Sequence, residues 1–140
     1  MGKRGLPERI VSSNFTEASG HLAASDLLLE LLTERDDPAE VTGPTGPSCV
    51  NDHCAIGALQ SVIRAGVRVP EDVSVIGFDD SSAAALPFVR LTSVRSDPDR
   101  MAQLAIEAVH ERLERPGAAP AASRVTPTLT LRDSTARPAR

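Results

Sequence analysis

Two acidic or amide pairs stand directly after short apolar runs: Asn51-Asp52 and Asp79-Asp80. Asn14-Phe15 follows a third such run. In sheets of parallel strands, ligands sit just beyond the strands' carboxyl ends. Polar groups placed there would hydrogen-bond a small polar molecule, which makes Asn51, Asp79 and Asp80 candidate contacts. The plainer alternatives are a solvated turn for Asp79-Asp80 and a helix cap for Asn51-Asp52. We expect Asp52 to be the cap, leaving Asn51 for the ligand. A phospho-receiver would also carry strand-end acids, but it needs a downstream lysine, and Lys3 is the only lysine. Cys49, Asp52, His53 and Cys54 suggest a metal, yet His53 and Cys54 are adjacent and no second Cys or His pair completes a ligand set. No nucleophile elbow, phosphate-cradling glycine loop or His-based triad appears, so neither an enzyme nor a cofactor is expected. His21 and His110 are expected to face solvent from helices.

The elements that must carry these residues read as α/β. At 140 residues the chain suits one domain, and 41% apolar with 24% charged residues is a globular balance. Three Phe with no Trp or Tyr leave an aliphatic core of Ala, Val, Leu and Ile. A net charge of −4 and the lack of a basic stripe argue against free-standing nucleic-acid binding. No run approaches a membrane span, and two thiols without a secretory leader read as reduced, so the cytoplasm is expected.

Along the chain, residues 9–13 are a strand candidate. Thr16 then caps a helix over residues 17–32 with Ala18, Leu22, Leu28, Leu29 and Leu32 as its stripe. Residues 36–48 carry Pro38, Gly43, Pro44, Gly46 and Pro47, which is loop chemistry. Residues 48–50 are a brief strand, and a helix follows with Ala55, Ile56, Leu59, Val62 and Ile63 apolar until Gly66. Gly57 inside that helix implies close approach to a sheet or a second helix. Residues 73–78 read as a parallel strand buried on both faces, and residues 91–95 as another. Asp97-Pro98 opens a helix to about Glu114, and residues 125–131 form a last strand. The order β-α-β-α-β-β-α-β predicts helices flanking a mainly parallel sheet.

Five segments also resemble LacI/GalR-type transcriptional regulators. Residues 50–59 are similar to the family's strand-Asn-Asp-x-x-Ala-x-Gly-Ala-Leu segment. Residues 65–80, ending Val75-Ile76-Gly77-Phe78-Asp79-Asp80, match its most diagnostic run. Leu91-Thr92-Ser93-Val94 stands for Leu-Thr-Thr-Val, and Leu131-Arg132-Asp133-Ser134-Thr135 for the closing Arg-x-Ser-Thr. Arg9-Ile10-Val11 through Phe15, Thr16, Glu17 and Ser19-Gly20 fits upstream.

The resemblance implies a periplasmic-binding-protein-like (type I) C-terminal lobe, with residues 1–140 as one partial effector-binding domain. It implies a sugar or nucleoside-like effector, with Phe15 packing on it and Asn51 and Asp79 hydrogen-bonding it. Asp80 and Ser96 are additional candidates; some relatives hold a longer amide at the position of Ser96. By the family's layout, the chain is expected to begin after the helix-turn-helix, the hinge and most of the N-terminal lobe. DNA contact would then come only through that head. A strand would be lacking between residues 9–13 and 48–50. The helix over residues 97–115 would lack its usual cover, and must fold back, dimerise or stay exposed. The implied partner is a homodimer, or a heterodimer with a full-length relative. The alternative is a stand-alone ligand-binding or dimerisation module.

Overall fold

The computed structural model describes residues 10–33, 46–117, 119 and 122–137. Thr16 caps the first helix, its Oγ1 accepting the Ser19 N–H at 3.3 Å. That helix, α1 (Glu17–Thr33), does not pack through most of its predicted stripe: Ala18 is exposed, Leu22 and Leu29 are 64% and 66% exposed, and Leu28 is half-buried. Its buried face is Gly20 and Ala24 instead. Leu32 lies outside the described side chains.

The reason is the second helix, α2 (Asp52–Arg64), which crosses α1 nearly backbone to backbone. A Cβ on Gly20 would stand 2.1 Å from the Cys54 carbonyl oxygen, and one on Gly57 would stand 1.9 Å from that of Glu17. Only small residues allow such an approach, so Leu22 and Leu29 are left outside the contact. Gly57 is thereby explained, by a partner helix. Helix α2 buries Ala55, Ile56, Leu59 and Val62, while Ile63 stays exposed. It ends in a Schellman motif: Gly66 has φ of 78°, and the N–H groups of Gly66 and Val67 reach Ile63 and Val62 carbonyls.

The sheet has the order β1-β2-β3, formed by β1 (Ile76–Phe78), β2 (Thr92–Arg95) and β3 (Thr128–Thr130). Strands β1 and β2 are parallel, with Ile76 level with Thr92, and β3 is antiparallel to β2. Beyond β1, Ser48 makes a single parallel bridge to Ile76. Ile76 accepts from Cys49 N–H and donates to the Pro47 carbonyl, so the proline contributes the one ladder group it possesses. Strand β1 is therefore interior. It is shorter than the predicted 73–78, and Phe78 is exposed rather than buried on both faces.

Two predicted strands are corrected. Residues 10–13 form no strand, and residues 48–50 shrink to the single bridge. A cavity of about 200 Å³ lies against both, lined by Val11 and Ser13 on one segment and Pro47, Ser48, Cys49 and Val50 on the other. Strand pairing requires backbones about 4.8 Å apart, and among the described residues no backbone hydrogen bond joins these segments.

The core is aliphatic, as the composition implied: Ala55, Ile56, Leu59, Val75, Ala84 and Leu91. The third helix, α3 (Pro98–Glu114), begins at its predicted cap, Asp97, and buries no residue. The architecture is α/β, with a short mixed sheet.

Candidate functional site

Parallel pairing brings Phe78 level with Val94, so β1 and β2 end at one rim of the sheet. Helix α2 starts at that rim because Asn51 caps it: its Oδ1 accepts the Cys54 N–H at 2.8 Å. The cap is thus Asn51 and not Asp52. Asn51 is 8% exposed, and its Nδ2 also donates to the Phe15 carbonyl at 3.1 Å. That bond ties the start of α1 to the start of α2 and joins two of the predicted site residues. One hydrogen of the Asn51 amide remains to donate. The Phe15 ring is 68% exposed.

Asp52 occupies the first turn of α2 with only 1% exposure. Its carboxyl oxygens accept from the Ser81 N–H at 2.6 Å and from the Ser93 hydroxyl at 2.5 Å. Asp52 therefore connects the helix to the loop after β1 and to the middle of β2.

That loop holds Asp79 and Asp80, both with positive φ, 102° and 52°. Such conformations cost L-residues on the order of 1 kcal/mol or more each. Asp79 is exposed, directly after the end of β1. Asp80 turns inward: Oδ1 accepts from Arg132 at 2.7 Å and Oδ2 from Thr130 at 2.9 Å. Burial pushes the Asp80 carboxyl up, but those hydrogen bonds and the Arg132 and Arg95 charges outweigh it and hold it below the usual range. Both Asp80 oxygens are committed within the chain. Ser96 is half-buried between β2 and Asp97.

The remaining candidates serve the structure. His53 is exposed and pairs with Glu17 at 3.3 Å. Cys54 is buried and donates to the Asn14 carbonyl at 2.8 Å. Burial, with the neighbouring Cys54, pushes the Cys49 thiol up to about 11. Among the described residues no three metal-capable side chains cluster. His110 is exposed beside Glu114. His21 corrects the expectation: it is half-buried, with Nδ1 2.5 Å from the Ser61 hydroxyl in the α1–α2 contact. Sequence reasoning missed Ser93 and Arg132 as supports of the rim. The available signals were a hydroxyl inside an apolar strand and an arginine after the last one.

The chain matches the family model described as a periplasmic binding protein-like domain over residues 1–135. It is similar to the HTH-type transcriptional repressor PurR of Pasteurella multocida, 33% identical over 96% of this chain and 38% of that protein. Among solved structures it resembles a LacI transcriptional regulator from a Rhodococcus species, with TM-score 0.72 and 31% identity over 89% of this chain and 42% of that one. It also resembles a LacI family regulator from Enterococcus faecium solved with bound ribose, with TM-score 0.67 and 25% identity over 89% and 42% of the two chains. The chain thus spans under half the length of these relatives.

Proposed function

This chain belongs to the periplasmic binding protein-like domain family, with LacI-type regulators as its relatives, and on that premise we propose that it is an effector-sensing lobe for transcription control. Its ligand is a sugar or nucleoside-like molecule, bound at the carboxyl rim of the sheet. The observation that carries this reading is that the Asn51 amide, bonded to the backbone of the exposed Phe15, starts α2 where β1 ends and the exposed Asp79 follows. A vicinal diol pairs well with a carboxylate and an amide, and the apolar face of a sugar stacks on a ring. The ribose-bound relative supports this ligand class. Asp80 drops out of the proposed contact set, since Arg132 and Thr130 occupy it. Ser96 stays as a peripheral candidate.

The test is calorimetric titration of the whole chain with D-ribose and with adenosine. Weak binding is expected, and Asp79→Ala should reduce it at least about tenfold, since a hydrogen bond to a charged group contributes roughly 1.5–3 kcal/mol. Binding that survives both Asp79→Ala and Asn51→Ala unchanged would place the ligand elsewhere. The lobe itself is not the DNA-reading part: its net charge is −4, and a gel-shift with the chain should show no specific complex.

A second reading, an association module, is favoured by the exposure of α3, where Met101, Ile106, Val109 and Leu113 all face solvent. It predicts a dimer that unfolds cooperatively. A monomer that binds hydrophobic dyes as a loosely packed state would count against it.

A further inference from the structure

Two consecutive residues with side chains, Asp79 and Asp80, hold positive φ directly after β1. Such a pair persists only where its surroundings over-determine it. Here three successive backbone N–H groups each have a fixed acceptor. Asp79 donates to the Val94 carbonyl at 2.8 Å, Asp80 to the Ser93 hydroxyl at 3.0 Å, and Ser81 to the Asp52 carboxylate at 2.6 Å.

The three bonds are not equivalent. The first is an ordinary continuation of the β1–β2 ladder. The other two pass through side chains, and both depend on one group. Ser93 has a single hydroxyl proton, which goes to Asp52 Oδ1 at 2.5 Å. Its oxygen is then free only to accept, which is what the Asp80 N–H requires. Asp52 therefore orients Ser93 as well as holding Ser81. Ser93 is fully buried and Asp52 nearly so, so water does not substitute for either.

Glycine in β1 makes the arrangement possible. A Cβ at Gly77 would stand 2.3 Å from Asp52 Oδ1 and 2.9 Å from the Leu91 side chain. The Asp52 carboxylate lies directly against the strand whose exit it controls.

We infer that Asp52 and Ser93 form a clamp that locks the left-handed Asp79-Asp80 turn and thereby aims the Asp79 carboxylate outward at the rim. Both are positioning residues, acting on a ligand through Asp79. This inference rests on the rim being the binding site, but the clamp itself is a property of the chain and is measured without a ligand.

Amide hydrogen exchange, read residue by residue on the whole chain, tests it. Ser93→Ala removes the acceptor of Asp80 and leaves the Asp52–Ser81 bond in place. Asp80 should then exchange at least about tenfold faster, with Ser81 still protected. Asp52→Ala removes both carboxylate acceptors at once, freeing the Ser93 hydroxyl to turn away and leaving the Ser81 N–H without a partner, so Asp80 and Ser81 should both be released. Val75, whose N–H donates to the Ser134 carbonyl at 2.8 Å, serves as the internal reference. A general loss of packing moves all these amides together; the clamp moves them in the stated pattern. Uniform acceleration in both variants, or unchanged Asp80 and Ser81 amides, would overturn it. Ser93→Ala, the milder change, decides the matter if Asp52→Ala does not fold. D-ribose titrations of the same proteins then separate the two ideas: the exchange pattern without ribose binding by the parent retains the clamp and counts against the ribose reading. Ribose binding without the pattern does the reverse.

Discussion

Helices α2 and α3 look alike as sequences and meet opposite fates. Each opens on an Asn or Asp cap whose side chain accepts the backbone N–H three residues on, from Cys54 and Arg100 respectively. Each carries apolar residues at helical spacing. Yet α2 buries residues along most of its length, and α3 buries none. An apolar stripe states that a helix can be covered; a partner in space decides whether it is. What holds α3 is local: its cap, Pro98 in the first turn, and surface pairs such as His110–Glu114 and Arg115–Glu111, worth a few tenths of a kcal/mol each.

The widest separation between the two regions should come from truncating large side chains. Leu91, fully buried beneath α2, should cost about 2–5 kcal/mol as Leu91→Ala. Leu113→Ala on α3, where the residue is 75% exposed, should change stability by no more than about 0.5 kcal/mol. Urea unfolding of both variants measures the contrast, and a loss at Leu113 equal to that at Leu91 would mean that α3 is covered in solution.

A smaller effect sharpens the same contrast through glycine. Gly57→Ala removes a helix penalty of about 1 kcal/mol, but the new Cβ meets the Glu17 backbone at 1.9 Å. The net should be destabilising, by roughly 1–3 kcal/mol from overpacking. The reverse change on α3, Ala105→Gly, should cost about 1 kcal/mol of local helix propensity. It should appear as lost helical circular dichroism without a shift in the main unfolding transition. A stabilised Gly57→Ala protein would show that the α1–α2 contact is looser than described.

The smallest effect expected is the response to acid. The folded-state Asp80 carboxyl is held below its ordinary range, so the folded protein resists its protonation more than the unfolded chain does. This contribution is complete above the unfolded pKa, near 4, and is lost as pH falls through the lower folded value. The melting temperature should therefore decline as pH drops below about 4, and Asp80→Asn should flatten part of that decline. Asp133, held low by Arg90, acts in the same direction, but both partners are exposed and water screens the pair. An undiminished slope in Asp80→Asn would assign the acid sensitivity elsewhere.

Caps and stops were legible in the residues because they are local. Thr16, Asp97-Pro98 and Gly66 each satisfy backbone groups within a few residues of themselves, and all three stand where they were expected. Strands were less legible. Residues 9–13 and 48–50 have strand-like composition, but a strand exists only with a neighbour, and composition does not supply one. At the rim, the choice between Asn51 and Asp52 as cap turned on which side chain found another partner. Asp52 found Ser81 and Ser93, distant in sequence, so Asn51 was left to cap α2.

From its order of residues alone this protein was bound to be an aliphatic α/β chain with polar groups at strand ends and an acidic charge balance. Those properties follow from hydrophobic periodicity, capping chemistry and net charge, which act over short distances or over the whole chain at once. Folding in three dimensions decided which stripe of α1 packs, which of two adjacent acids faces outward, and that α3 is left bare. Each of those outcomes depends on groups remote in sequence meeting at a few ångströms, where the backbone contacts of Gly20 and Gly57 or the two hydrogen bonds of Asp52 select one arrangement among several that the pattern permits.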